Sequence, residues 1–491
     1  MAGMTRKKET TVATTKKKDN AASSRGKHIN TGNGPTMQPI DIGHPDYIGL
    51  LDPDAAFWSL VKKEELGAAL TEGPFLAQYR RKRSAFLAEM EALRFGTNLS
   101  AIYFNPTERC NLNCSYCYIP ETMRREGKHM SSPRLVEALG ILKEYFGRNL
   151  PRRARPQIVF HGSEPMLCRD AVFAGIEKHR NDFRFGVQTN GTLLDDEAIG
   201  FLTSRGVGIG LSLDGHLGRI ADRNRKTWGG EGTFRKACGA LEKLKGYPNY
   251  NVLCTVTAGN RRSLPRMVEF LHDREVPACM LNPVRCTLEG ARLVKPRDKD
   301  LVGPYLEALD RTHDLYEKSG RKLIVANFAN VLVGIVAPAG RWLMCDISPC
   351  GGGRHFLAVS AAGDLFPCSE FIGLEAFKGG NLFKKGGIEE ALESAAFGKV
   401  RARRVEEIDP CSRCAVRHFC GSPCPAEAHE MNGSMRRPGA FCELYEEQVR
   451  YALRLIADGK EDAYLRDGWD AGMSASIEIG GLETCGGGDP V

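Results

Sequence analysis

No stretch of this 491-residue chain is long and uncharged enough to span a bilayer, so a membrane partner is not expected. The first 30 residues lack the apolar core of a secretory signal, and the expected compartment is the cytoplasm. Without secretion, the 17 cysteines do not read as a disulfide framework; they point to metal or redox chemistry. The C-terminal third lacks the interleaved basic and aromatic residues of an RNA-binding module, so nucleic acid is not an expected partner. Net charge is modest at +8, and much of it sits in a tail holding Arg6, Lys7, Lys8, Lys16, Lys17, Lys18, Arg25 and Lys27 among small polar residues. Such a segment buries too little apolar surface to offset its ordering entropy, so residues 1–44 are expected to be a disordered, solubilising tail.

What remains is long enough for two or three domains with real cores. Residues 45–100 read as helical: Asp52-Pro53-Asp54 offers a helix start before Ala55–Val61, and a second helix is expected over Phe75–Leu93. From 101 to 290, short β-branched and aromatic runs alternate with amphipathic helices. Strands are expected at Ala101–Phe104, Gln157–Phe160, Arg184–Gln188, Gly208–Leu213, Asn251–Thr257 and Cys279–Leu281. The intervening helices include Ser132–Phe146, Asp195–Arg205, Gly232–Lys245 and Ser263–Arg274. Alternating βα units imply a parallel sheet with right-handed crossovers, and six are too few to close an eight-stranded barrel. The fold class is therefore α/β, an open partial (β/α)6 barrel. A helical linker over 291–344, a cysteine-rich domain over 345–445, and a C-terminal helix with a Gly-rich tail over 446–491 complete the expected organisation.

Polar motifs sit where these strands end. Cys110, Cys114 and Cys117 follow the first, Gly162-Ser163-Glu164-Pro165 the second, and Thr189-Asn190-Gly191 the third. Asp214-Gly215 ends the fourth and Asn282-Pro283 the sixth. Carboxyl ends of parallel strands line the active face of such folds, so these segments should converge on one rim. Thiolates are the usual protein ligands of iron–sulfur clusters, and three of them leave one corner of a four-iron cluster open. A zinc knuckle or buried thiols are the alternatives for the triplet alone.

The triplet and its flanks resemble the radical S-adenosylmethionine (SAM) superfamily, in which SAM chelates the open iron. That resemblance implies one-electron cleavage of SAM to methionine and a 5′-deoxyadenosyl radical, and a reducing donor such as flavodoxin or ferredoxin. It also implies SAM contacts. Gly162, Ser163, Glu164 and Pro165 match the family's Gly-Gly-Glu-Pro element, with Ser163 in place of the second glycine, and would receive the SAM ammonium. Gln188, Thr189 and Asn190 would reach the ribose hydroxyls, and Tyr116 would lie near the adenine. Ser212 and Arg225 would hold the ribose or the SAM carboxylate, and Asp214 between them is counted among the cofactor contacts; the planar donors of an Arg suit a carboxylate.

Eight more cysteines follow, at 345, 350, 368, 411, 414, 420, 424 and 442. Eight thiolates suffice for two further four-iron clusters, or for two zinc sites. Their order resembles the SPASM domain of radical SAM enzymes that modify peptides. By that family's interleaved pattern, Cys345, Cys350, Cys368 and Cys424 would hold one auxiliary cluster and Cys411, Cys414, Cys420 and Cys442 the other, giving three clusters in all. The resemblance implies a peptide or small protein substrate, expected to contain Cys, and thioether crosslinking similar to that of the quinohaemoprotein amine dehydrogenase maturases. Sulfatase-maturing relatives carry an aspartate directly after the cysteine at the position of Cys368. Here that residue is Ser369, so formylglycine formation is the alternative, with Glu370 or Asp364 as the candidate base. A non-enzymatic zinc scaffold is the reading from another class. Of the other thiols, Cys238 and Cys254 fit an apolar pattern, Cys168, Cys279 and Cys286 lie near strand or rim ends, and Cys485 is in the tail.

Overall fold

The computed structural model describes residues 37–71, 74–341 and 343–469. Of the tail expected over 1–44, residues 1–36 lie outside the described residues, as do the Gly-rich tail and Cys485; residues 37–44 include a strand and bury Met37, Ile40 and Ile42, which corrects the disorder expected there. The chain opens with a small antiparallel sheet: β1 (Gln38–Ile40), β2 (Tyr47–Asp52) and β3 (Phe57–Lys62), in that order. This corrects the helix expected after Asp52. Asp52 pairs with Phe57 at the head of a hairpin, and its carboxylate accepts from the Asp54 backbone N–H at 2.9 Å, which closes the turn. The fully buried Asp52 also accepts from the Tyr79 hydroxyl at 2.5 Å and Arg83 Nε at 2.8 Å. A strand of Phe-Trp-Ser-Leu-Val suits its β-branched and aromatic content, and that buried network fixes the reversal before it.

Helix α1 (Pro74–Phe95) lies where the second helix was expected, and its Tyr79 and Phe86 rings meet Phe57 at 4.7 and 5.3 Å. Its last turn fastens to the cysteine-rich region. Arg94 donates to the Ser348 carbonyl and pairs with Glu406 at 2.7 Å, while Arg354 donates back to the Leu93 and Gly96 carbonyls.

Six parallel strands follow: β4 (Ala101–Phe104), β5 (Gln157–Phe160), β6 (Arg184–Thr189), β7 (Gly208–Ser212), β8 (Tyr250–Val256) and β9 (Ala278–Pro283). Each pairs in parallel with the next, as the βα alternation predicts. The helices between them show why the pattern was readable. Helix α2 (Ser132–Asn149) buries Leu135, Ala138, Leu139, Leu142 and Phe146, one face at helical spacing. Asp195 caps α3 (Asp196–Ser204), its side chain accepting from Ala198 N at 2.8 Å.

The sheet is wider than six strands. A two-residue strand, β10 (Ile324–Val325), extends it beside β9. On the other edge β11 (Phe356–Val359) pairs in parallel with β4, and β12 (Asp364–Phe366) and β13 (Gly380–Asn381) continue antiparallel. The ten strands run β10-β9-β8-β7-β6-β5-β4-β11-β12-β13 and do not return on themselves. The cysteine-rich segment is thus welded to the barrel edge and brought over the rim. Residues 291–344 are mainly helical, with α4 (Asp298–Ser319) and α5 (Ala326–Val336), and α6 (Cys442–Ala457) closes the described chain. Among the described residues no helix is long and apolar enough to cross a membrane.

Candidate active site

The loop after β4 is held by its neighbours. Cys110 N donates to the Arg124 carbonyl at 2.9 Å, Asn113 N to Lys226 O at 2.7 Å, and Ser115 N to Asn224 O at 3.0 Å. The Trp228 indole donates to the Cys110 carbonyl at 2.9 Å. So fastened, Cys110, Cys114 and Cys117 all face one cavity of about 430 Å³. All three are half-buried, and desolvation pushes Cys110 up to about 12 and Cys114 to about 11, with the Arg225 cation opposing at Cys114. Thiols so raised give up their protons only to a strong cation among them, which a metal cluster supplies.

The same cavity is walled by Tyr116, Gly162, Ser163, Gln188, Thr189, Asn190, Ser212 and Arg225. Gly162 has φ +104°, and a Cβ there would lie 2.2 Å from the Asn105 side chain, so only glycine brings the backbone to this wall. Asn190 Nδ2 donates to Asn111 Oδ1 at 2.9 Å and lies 3.9 Å from Cys110 Sγ, tying the third strand's end to the cysteine loop. Arg225 donates to the Tyr116 hydroxyl at 2.8 Å, and that hydroxyl donates to Asp214. Arg225 Nε is buried without a partner on the cavity wall, a donor that fits an anionic group such as the SAM carboxylate.

Three residues expected to touch SAM stand behind that wall instead. The fully buried Glu164 accepts from Thr189 Oγ1 at 2.7 Å, Asn190 N at 2.7 Å and Met166 N at 3.1 Å, which leaves about one of its four acceptor sites free. Pro165 opens the short turn that Glu164 caps. Asp214 is consumed by Tyr116, by Thr255 N at 3.0 Å and by the nearby Arg225. These carboxylates position the lining; their desolvation is offset by those donors.

The eight later cysteines separate into two groups. Cys345, Cys350, Cys368 and Cys424 open onto the same cavity as the first triplet, whereas Cys411, Cys414, Cys420 and Cys442 do not line it. Electrostatic neighbours respect the same division. Cys368 faces Cys345 and Cys424, and Cys345 faces Cys350; Cys420 faces Cys411, Cys414 and Cys442. Cys345 and Cys442 are the exposed members of their quartets, Cys350 and Cys424 are buried, and the other four are half-buried. None of the 16 cysteines among the described residues is in a disulfide. Among the described residues no three His, Cys, Asp or Glu side chains converge as they would on a single metal ion.

Glu370 faces the cavity, and its Oε2 is buried without a partner. Burial, against the opposing Arg285 guanidinium, pushes its carboxyl up to about 7. Asp364, the other candidate base, is corrected: it lies on β12, accepts from Asn381 Nδ2 at 2.9 Å, pairs with Lys378 at 3.0 Å, and is absent from the cavity wall. It clasps β12 to β13. Sequence reasoning missed Tyr118, His161 and Arg285, which also line the cavity. The Tyr118 hydroxyl and His161 Nδ1 are buried and unpartnered, their rings stack at 6.4 Å, and burial holds His161 down at about 4. Tyr118 adjoins Cys117, and His161 and Arg285 each stand just past a strand end, so rim position alone could have found them. Cys254, Cys279 and Cys286 are buried in the core, and Cys168 lies 2.8 Å from His129 Nδ1 outside this cavity.

Residues 104–271 match the Radical SAM superfamily and residues 350–415 the SPASM iron–sulfur cluster-binding domain. An uncharacterized protein of Archaeoglobus fulgidus is 39% identical over 409 residues, 83% of this chain and 92% of that one. A cysteine-type anaerobic sulfatase-maturating enzyme of Clostridium perfringens is 24% identical, covering 73% of this chain and 97% of its own. A PqqA peptide cyclase of Bradyrhizobium diazoefficiens is also 24% identical, over 76% of this chain and 93% of its own. In fold, the chain resembles the structure of anSMEcpe with bound AdoMet and Cp18Cys peptide, with a TM-score of 0.63 and 21% identity over 74% of this chain and 99% of that one.

Proposed function

Because this chain belongs to the radical SAM superfamily and carries a SPASM domain, we propose that it is a maturase that crosslinks a Cys-containing, ribosomally made peptide through a thioether. Cys110, Cys114 and Cys117 would hold the SAM-binding cluster, and the two later quartets an auxiliary cluster each. When bound, SAM and that first cluster supply a 5′-deoxyadenosyl radical able to take a hydrogen atom from an unactivated carbon. The residues do the rest. Arg225 and the backbone at Gly162–Ser163 would orient SAM, with Gln188, Asn190 and Ser212 around its ribose. Glu370, turned into the cavity beside Arg285, would take the proton that a substrate thiol or carbon gives up.

One observation carries this reading: a single cavity is lined both by the three-cysteine loop and by Cys345, Cys350, Cys368 and Cys424. A peptide side chain between them would meet the radical source and an electron acceptor together. The second reading, formylglycine formation, is favoured by the sulfatase-maturating relatives and weakened by Ser369 in the place of their aspartate.

Co-expression with a Cys-containing peptide encoded beside the gene, followed by mass spectrometry, separates the two. Thioether formation removes two hydrogens per link, keeps the sulfur, and leaves no thiol to alkylate after reduction. Formylglycine from Cys loses the sulfur and gains an aldehyde. An unchanged mass, or a loss reversed by thiol reductant, contradicts the crosslinking proposal.

A further inference from the structure

Arg403 is 4% exposed, and among the described residues it makes no ion pair with a carboxylate. Nε donates to the Met435 carbonyl at 2.7 Å, Nη1 to Ser422 O at 2.7 Å, and Nη2 to Ser422 Oγ at 3.1 Å and Arg437 O at 3.3 Å. Every acceptor is neutral. Burying a guanidinium among neutral acceptors is unfavourable, and nearby anionic groups would offset it. The groups that do face it are thiols from both quartets: Cys350 and Cys424 of one, Cys411 and Cys420 of the other.

Ser422, which Arg403 grips twice, sits between Cys420 and Cys424 in the chain. Its hydroxyl engages Cys411 and its backbone N–H engages Cys420. Ser422 and Cys424 both hold left-handed backbone, at φ +48° and +54°, a strained conformation for residues other than glycine. This strained turn carries Cys420 of one quartet and Cys424 of the other on either side of the residue that Arg403 holds. Arg354 provides a contrast. It is 1% exposed and donates to the carbonyls of Cys350, Leu93, Gly96 and Pro349, and the thiol it faces is Cys350 of the first quartet.

We infer that Arg403 is a shared counter-cation for the two auxiliary cluster sites, a positioning residue that raises the reduction potential of both. This rests on the reading of the two quartets as cluster sites. A fixed positive charge favours the more negative, reduced state of a neighbouring cluster, and net charge is among the determinants of cluster potential. The guanidinium stays charged throughout, so no proton accompanies the effect.

The test is an EPR-monitored redox titration of the reconstituted full-length protein and its Arg403→Gln, Arg403→Lys and Arg354→Gln variants, with iron counted in each. Arg403→Gln is expected to lower both auxiliary potentials by about tenfold in the equilibrium constant, 59 mV for a one-electron couple. Arg403→Lys should keep both near wild type, and Arg354→Gln should lower only one. Unchanged potentials in loaded Arg403→Gln overturn the inference, as does an equal fall of both in Arg354→Gln. If Arg403→Gln loads no auxiliary iron, Arg403→Lys decides: loading with wild-type potentials supports the role of charge, and failure to load overturns it. Wild-type protein lacking auxiliary iron would instead sink the cluster assignment itself, a separate result.

Discussion

Cys110→Ala protein, reconstituted anaerobically and given reductant and SAM, is expected to release 5′-deoxyadenosine at least about 10³-fold more slowly than wild type, a loss of about 4 kcal/mol of barrier lowering. The effect should be this large because the three thiols of the β4 loop are not interchangeable spares. Asn190 Nδ2 reaches Cys110 Sγ, Leu112 N donates to it at 3.4 Å, and the Trp228 indole holds its carbonyl, so Cys110 is the ligand position most tied to the strand ends around it. No other cysteine of the barrel can take its place: Cys254, Cys279 and Cys286 are buried in the core, and Cys168 and Cys238 lie outside the cavity. Liquid chromatography of single-turnover mixtures reads the outcome. The auxiliary quartets should keep their iron in this variant, so total iron falls by about a third and does not vanish.

Glu370→Gln should show the opposite pattern, with SAM still cleaved and the peptide left largely unmodified, down by about 10²-fold or more. Gln keeps the size of Glu and removes its capacity to take a proton, while the SAM-facing wall of Arg225, Gly162 and Ser212 is untouched. The carboxylate is singled out by its place: it faces the cavity with Oε2 unpartnered, beside Cys368, Tyr118 and Arg285. Asp364→Asn is the control. Its carboxylate is spent on Asn381 and Lys378, so peptide modification should stay within about twofold of wild type. Product mass and 5′-deoxyadenosine, measured in the same reaction, separate the two variants. Equal loss of both products in Glu370→Gln would place the residue in SAM binding and contradict the assignment.

Much of this was legible because the βα alternation writes its periodicity locally. The strands β4 to β9 fall within two residues of their expected ends and the four helices named between them within three, and the motifs lie at or just past the strand ends as parallel topology demands. The hairpin of β2 and β3 was missed for a physical reason. Asp52-Pro53-Asp54 serves equally as a helix start or a turn, and the choice is made by Tyr79 and Arg83, some thirty residues on, which claim the Asp52 carboxylate. The pairing of β11 with β4 joins segments about 250 residues apart and leaves no local trace, so the reach of the cysteine-rich region over the rim was hidden. Within the site, residue type located the lining but not the division of labour. Glu164 and Asp214 read as ligand contacts, whereas hydrogen bonds to Thr189, Asn190, Tyr116 and Thr255 turn them into struts. Arg403 carried no motif at all; only its burial among neutral carbonyls and thiols of two quartets marks it.

The most direct measurement is low-temperature EPR of the anaerobically reconstituted, reduced protein before and after SAM is added. A three-cysteine site with an open corner predicts one paramagnetic centre whose spectrum changes on adding SAM, and loss of that centre in Cys110→Ala with the auxiliary signals retained. A reduced protein in which no centre responds to SAM, or a responsive centre that survives Cys110→Ala, would contradict it.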